Sequence, residues 1–206
     1  GISQRRISGL SENVSEMGCK AALGAIEMAR WDIETIDLII LATSTPNDLF
    51  GSAPEIQSKL GAINAVAFDL TAACSGFLFA AITATQFLKA GSYKRAVVIG
   101  SDQLSSYVDW NDRRSCILFG DGAGAIAIEG TNKLDNLIGF SMRTDGQRGS
   151  FLNLPSQNNQ DLIIDDINFS SGGFSSIKMN GQEVYKFAVR EVPLIIENLF
   201  KKTNFN

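Results

Sequence analysis

The side chains that could do chemistry in this sequence are few. Its 206 residues contain no histidine, which excludes Ser-His-Asp and Cys-His catalysis, histidine-ligated zinc and histidine acid/base work within the chain. Three cysteines, Cys19, Cys74 and Cys116, form no CxxC pair, so a disulfide framework or thiolate metal site is not expected and a reducing compartment is. Cys74 stands in Asp69-Leu-Thr-Ala-Ala-Cys74-Ser-Gly-Phe77, between a β-rich run and a long apolar one. Free N–H groups and the dipole at a helix start favour an anion, hence a thiolate. The small neighbours Ala72, Ala73, Ser75 and Gly76 leave room for a substrate. That setting suits a covalent acyl carrier, a nucleophile whose thioester is readily cleaved again. Read without chemistry, the same cysteine is a small buried apolar residue, and the turn's composition leaves both readings open. Cys19, beside Ala21 and Ala22, and Cys116, before Ile117-Leu-Phe119, read as packing.

Two other segments stand out. Gly120-Asp-Gly-Ala-Gly-Ala125 can be forced into a dinucleotide fingerprint, but a strand-like GAIAIE follows it rather than a helix, so the phosphate-cradling geometry is missing. Its glycines are expected to supply positive φ and close backbone approach beside a site. Asp109-Trp-Asn-Asp-Arg-Arg114 reads either as a solvated loop or as a phosphate clamp, and Arg5-Arg6 carries the same ambiguity.

The elements that must position these residues follow from periodicity and caps. Asn13-Val-Ser-Glu16 has the form of a capping box, with Glu16 reaching back, and opens a helix to about Arg30. Ile36–Ala42, Ala65–Leu70, Arg95–Gly100 and Gly122–Glu129 read as strands, the first, third and fourth as buried ones, and Leu137–Arg143 as a fifth strand. Ser52-Ala-Pro-Glu55 signals a second cap and a helix to Leu60. Cys74–Ala90 is apolar nearly all round and is expected in the middle of the protein, ended by Gly91. Asn153–Ser176 reads mainly as loop, and Val184–Lys202 as a helix that Pro193 kinks or divides. Helices alternating with apolar strands point to an α/β fold with a parallel or mixed sheet. The first helix followed by Ile36-Asp-Leu, and the last helix running into Lys201-Lys202-Thr203, faintly echo each other, as in a duplicated architecture.

Composition sets the outer bounds. A chain of this length buries roughly 70% of its unfolded surface, so it supports a real core. A net charge of −4 gives no reason to expect nucleic-acid binding. The apolar runs Leu38–Ala42 and Phe77–Ile82 are far short of the ~20 residues that a membrane-spanning helix needs. The chain starts at Gly1 without methionine and stops at Asn206 directly after an amphipathic run, and both ends look cut.

Taken in order, Gly1-Ile2 with Arg5-Arg6, ATSTP at Ala42–Pro46, Phe50-Gly-Ser52, AACSGF at Ala72–Phe77, DWNDRR at Asp109–Arg114, FGDGAGA at Phe119–Ala125 and Met179-Asn-Gly-Gln-Glu-Val-Tyr185 resemble β-ketoacyl-acyl-carrier-protein synthase III, an initiating condensing enzyme of the thiolase-like superfamily. The resemblance implies an α/β, layered α-β-α-β-α body built from two duplicated halves, a homodimer and a cytoplasmic or plastid-stroma-like location. It implies an acyltransferase of fatty acid initiation. Acetyl-CoA acylates the cysteine, and decarboxylative condensation with malonyl-acyl-carrier-protein gives acetoacetyl-acyl-carrier-protein. By resemblance Cys74 is the nucleophile, Arg113 lines the CoA entrance, Phe119 flanks the tunnel, and Phe50 closes the partner subunit's acyl pocket. Met179, Gly181 and Tyr185 lie along the pantetheine channel. No metal and no cofactor are implied; the CoA thioester is a substrate.

Family members carry a histidine in a PHQAN-like strand and an asparagine in a GNTS-like loop for malonyl decarboxylation, both expected beyond Asn206, as is an oxyanion-hole glycine. A tryptophan and an arginine that clasp CoA, and a first strand central in its sheet, are expected before Gly1. The sequence thus reads as a fragment. Residues 1–150 are most of the N-terminal half and 151–206 the connecting loop and opening helices of the C-terminal half, capable alone of self-acylation at most. Two alternatives are a related synthase with another acyl starter or acceptor, and a non-catalytic module that binds acyl-CoA or carrier protein. Arg5, Arg6, Arg113 and Arg114 are candidates for docking an acidic carrier protein.

Overall fold

The computed structural model describes residues 3–131, 137–164 and 167–204; Gly1-Ile2 and Phe205-Asn206 lie outside them. The chain forms two compact units, residues 1–104 with 120–135, and residues 105–119 with 136–206.

In the first unit, Asn13 Oδ1 accepts the Glu16 N–H at 2.9 Å and starts α1 (Val14–Ala29). The Glu16 carboxylate does not close the box; it takes Lys59 Nζ at 2.5 Å, a longer-range charge partner. The strands are β1 (Leu38–Ala42), β2 (Val66–Leu70), β3 (Arg95–Gln103) and β4 (Asp121–Glu129), hydrogen-bonded in the order β2-β1-β3-β4. The first three in space are parallel, and β4 is antiparallel to β3. Leu38 pairs with both Val66 and Ala96, so both sides of β1 are taken, and β3 is likewise paired on both sides. The central place expected for a strand before Gly1 is therefore corrected: β2, β1, β3 and β4 are hydrogen-bonded to one another without a gap, with β2 and β4 outermost in the described sheet.

α1 and α2 (Ala53–Leu60) cover one face of this sheet, and α3 (Gly76–Lys89) covers the other. Along β1, Ile39 and Leu41 enter the core with Val14, Ile26 and Ile56, while Leu38, Ile40 and Ala42 meet Ala80, Ala84 and Leu88. All five positions of β1 are buried, which is why the run shows no polar alternation. Each large aliphatic side chain there contributes about 1.5–3 kcal/mol. β3 is buried as the sequence implies, but β4 is not: as an edge strand it is half-buried to exposed along its length. Gly76, Ala80, Ala84 and Leu88, four residues apart, form the buried stripe of α3. Small residues let its backbone approach the sheet, and a Cβ at Gly76 would stand 3.3 Å from that of Ala42. Phe77 and Ala81 pack beside that stripe, while Leu78 on the far side of α3 is 66% exposed within this chain.

The second unit holds two antiparallel pairs, β5 (Leu152–Asn153) with β8 (Lys178–Met179), and β6 (Ser156–Ile164) with β7 (Ile167–Phe174). The β6–β7 hairpin corrects the loop expected over 153–176. Its Ser-, Asn- and Gly-rich strands lack apolar alternation, and the backbone ladder forms without it. The strand expected at Leu137–Arg143 is absent, and 137–145 carry no regular element. That segment runs along α4 (Gly181–Thr203) instead: a Cβ at Gly139 would overlap Thr203, and Arg143 pairs with Glu191. α4 starts where Asn180 Oδ1 accepts the Glu183 N–H, and it runs unbroken through Pro193. A proline inside a helix removes one bond at a cost of about 3 kcal/mol. Beside it, buried Glu191 accepts from Arg143 at 3.0 Å and Arg148 at 3.1 Å, contacts that hold this stretch of helix in place.

Candidate active site

Parallel α/β sheets place functional groups beyond the carboxyl ends of their strands, and the informative residues of the first unit gather there. β2 ends at Leu70; Ala72 has φ −154° and ψ 36°, and Ala73 is left-handed at φ +45°. A 3-10 turn over Ala73–Ser75 then feeds α3. For a residue with a Cβ the left-handed region costs about 1–2 kcal/mol, and strain of this kind persists where the surroundings enforce it. It turns the chain sharply enough that Cys74 is exposed at the head of α3, while Cys19 and Cys116 are buried. The helix N-terminus expected behind the thiol is present; the strand before it is a half-buried edge strand.

Side chains from distant parts of the chain fix the loops around this turn. Asp102, near the end of β3, accepts on Oδ1 from the Ser44 N–H at 2.7 Å and from the Thr43 and Thr45 hydroxyls at 3.3 Å each. Thr45 Oγ1 in turn accepts the Gln103 N–H at 2.8 Å. The Thr71 hydroxyl donates to the Thr43 carbonyl, tying the approach to Cys74 to the end of β1. Ser8 donates N–H and O–H to Asp121 Oδ2, each at 2.8 Å, and the Gln103 amide donates to Ser8 Oγ at 2.7 Å.

Phe50 belongs to this unit also, on the turn before α2, with its ring 99% exposed. A cavity of about 450 Å³ opens beside it, walled by Thr43, Pro46, Phe50, Phe68 and Asp69. Ser52 occupies the cap position of α2 but makes no side-chain cap; Asp69 of β2 takes the free N–H groups instead.

The remaining candidates lie in the second unit. Met179, the last residue of β8, and Gly181, the first of α4, line a cavity of about 660 Å³ with Arg114, Ser115, Asn180 and Gln182. Arg114 is held by Asp112, with Nε at 2.9 Å and Nη2 at 3.3 Å, and the guanidinium keeps the Asp112 carboxyl below its usual range. Arg113 is exposed next to it, Phe119 follows a 3-10 turn at Cys116–Leu118 and is half-buried, and Tyr185 is 69% exposed on α4. Thus Met179 and Gly181 share one cavity, whereas Arg113, Phe119 and Tyr185 do not line it.

The glycine run behaves differently from expectation. Gly120, Gly122 and Gly124 have no positive φ, because the last two are strand residues of β4 with open space around them. Only Gly120 is needed for a close approach, since a Cβ there would stand 2.9 Å from the Arg6 carbonyl. Asp69 and Asp102 are the polar residues that the sequence reading did not bring into the site, whereas Arg114 was among its candidates. A carboxylate near the end of a strand with an apolar run was the only local signal for the two aspartates. Among the described residues no cluster of three His, Cys, Asp or Glu could hold a metal ion, and no helix is long and apolar enough to cross a membrane.

A mixed sheet flanked by helices, with a cysteine exposed at a strand-to-helix turn, places the chain among thiolase-like α/β proteins once its structural likeness is added. The 3-oxoacyl-(acyl-carrier-protein) synthase III of Aquifex aeolicus superposes on 97% of this chain with a TM-score of 0.84 and 35% identity, and the chain covers 59% of it. The family model for 3-oxoacyl-(acyl-carrier-protein) synthase III matches residues 68–146, a span that includes Cys74. A β-ketoacyl-acyl-carrier-protein synthase III of Prochlorococcus marinus subsp. pastoris is 98% identical over all 206 residues, and another from strain MIT 9515 is 90% identical. Along its whole length the chain is similar to β-ketoacyl-acyl-carrier-protein synthase III proteins. It spans 62% of the length of these two relatives.

Proposed function

We propose that this chain carries the acyl-accepting half of a β-ketoacyl-acyl-carrier-protein synthase III, an acyltransferase of fatty acid initiation. The observation that carries the reading is the exposure of Cys74 at the head of α3, on a turn bent by left-handed Ala73. The Cys74 sulfur attacks the thioester carbonyl of acetyl-CoA, a carbon–sulfur bond forms, and CoA leaves as its thiolate. In the whole protein, malonyl-acyl-carrier-protein then loses CO₂. The resulting enolate carbon attacks the acetyl carbonyl and expels the Cys74 thiolate, giving acetoacetyl-acyl-carrier-protein.

In this reading Arg113 lines the CoA entrance and Phe119 flanks the acyl tunnel. Met179, Gly181 and Tyr185 border the pantetheine channel, supported for the first two by the cavity they share. Phe50 closes an acyl pocket across a homodimer, supported by the exposure of its ring. The reading also places a boundary between the halves of the whole protein near residue 150, the enzyme in the cytoplasm, and no cofactor in the reaction beyond the CoA thioester.

The test is intact-mass spectrometry of the folded chain after incubation with acetyl-CoA, beside Cys74→Ala. One added acetyl group on the wild type and none on the variant is the expected result. Saturable acyl-CoA binding without an adduct would overturn the reading in favour of a non-catalytic binding module.

A further inference from the structure

Asp69 is the only charged residue of β2 and lies five positions before Cys74. Its carboxylate leaves the strand and accepts the Ser52 N–H, at 3.0 Å on Oδ1 and 2.8 Å on Oδ2, and the Ala53 N–H at 2.6 Å on Oδ1. These N–H groups open α2, and Ser52 makes no cap bond of its own; its hydroxyl accepts the Asn47 N–H at 2.8 Å. Asp48 secures the other end of the turn: its side chain accepts the Phe50 N–H at 2.8 Å and its carbonyl the Gly51 N–H at 3.0 Å. Gly51 holds φ at +115°, and a Cβ there would stand 3.4 Å from Asp69 Oδ1. An exposed phenyl ring on a loop ordinarily moves with the loop. Here the backbone on both sides of Phe50 is fixed, and the carboxylate that fixes one side belongs to the strand that delivers Cys74.

We infer that Asp69 is a positioning residue for acyl-starter selection. By locking the 48–53 turn it sets where the Phe50 ring stands, and so how long an acyl group the ring admits. The inference rests on the reading above, in which Phe50 closes an acyl pocket. A carboxylate acting only as a helix cap would change stability and leave selectivity alone.

The test offers the folded chain an equimolar mixture of acetyl-CoA and butyryl-CoA and reads the ratio of the two Cys74 adducts by intact mass. The ratio is read on the folded fraction of each variant, so that loss of fold alone does not move it. Phe50→Ala is expected to raise the butyryl-to-acetyl ratio at least about tenfold, the lower end of what a single methylene is worth in a pocket, and Asp69→Ala about threefold. Asp69→Asn, which keeps an acceptor oxygen, should move it less, and the double variant no further than Phe50→Ala alone. Hydrogen exchange at residues 50–53 should quicken in Asp69→Ala. If Phe50→Ala shifts the ratio and Asp69→Ala does not, the positioning role is wrong while the reading of Phe50 stands. If the wild type acylates but neither variant shifts the ratio, the role given to Phe50 fails and this inference with it.

Discussion

What separates the three thiols is access to water. Cys19 points from α1 into the core, and burial pushes its thiol up from the ordinary cysteine range; Cys116 is also buried, and Cys74 is exposed. Alkylation needs a reachable thiolate. Brief treatment of the folded chain with limiting iodoacetamide should therefore label Cys74 at least about tenfold faster than the other two, as read by peptide mapping. Equal labelling would contradict the burial pattern. The run of small residues around Cys74 made this position legible in the sequence, because it leaves nothing to cover the sulfur. Asp69 and Asp102 were not legible, since their partners lie 16–17 and 57–59 residues away in the chain. No local pattern announces a hydrogen bond of that reach. The left-handed Ala73 was hidden for another reason: alanine seldom adopts that conformation.

Between elements, the tie from α1 to α2 is polar and depends on pH. The Ser15 hydroxyl, buried on α1, donates to Glu55 Oε2 of α2 at 2.7 Å, and Asn47 adds its amide at 3.3 Å. The Ser15 bond, foremost, and then Asn47 and Lys59, lower the Glu55 carboxyl below its usual value against the opposing effect of burial. A lowered carboxyl stabilises the fold above the pH at which it titrates when unfolded, and the gain is lost as pH falls through the folded value. Glu55→Gln should melt about 1–4 °C below wild type at pH 7. The gap should close as pH drops below the ordinary carboxylate range; thermal melts across pH 3–7 check both the size and the sign. At this scale β1 and β3 were legible because their unmixed apolar runs are buried on both faces of the sheet. The β6–β7 hairpin was not, because its strands are polar and the backbone ladder holds them together.

For the whole molecule, alternating helices and apolar strands sufficed to give the fold class. They did not give the sheet's continuity, which follows from registers that only pairing reveals. Nor did they show that the path between β3 and β4 leaves the first compact unit, contributes residues 105–119 to the second, and returns. That excursion makes the first unit a natural split protein. Arg113 and Arg114 are both exposed on it, and the β3–β4 ladder runs on either side from Arg95↔Glu129 to Gln103↔Asp121. A tryptic cut at that dibasic site would sever the covalent thread and leave nine cross-strand pairs in place. The two pieces should travel together in native mass spectrometry and separate in urea. Expressed as separate polypeptides, held by that ladder and by the Ser8–Asp121 hydrogen bonds, they should find each other and reassemble, making this chain a candidate for fragment complementation.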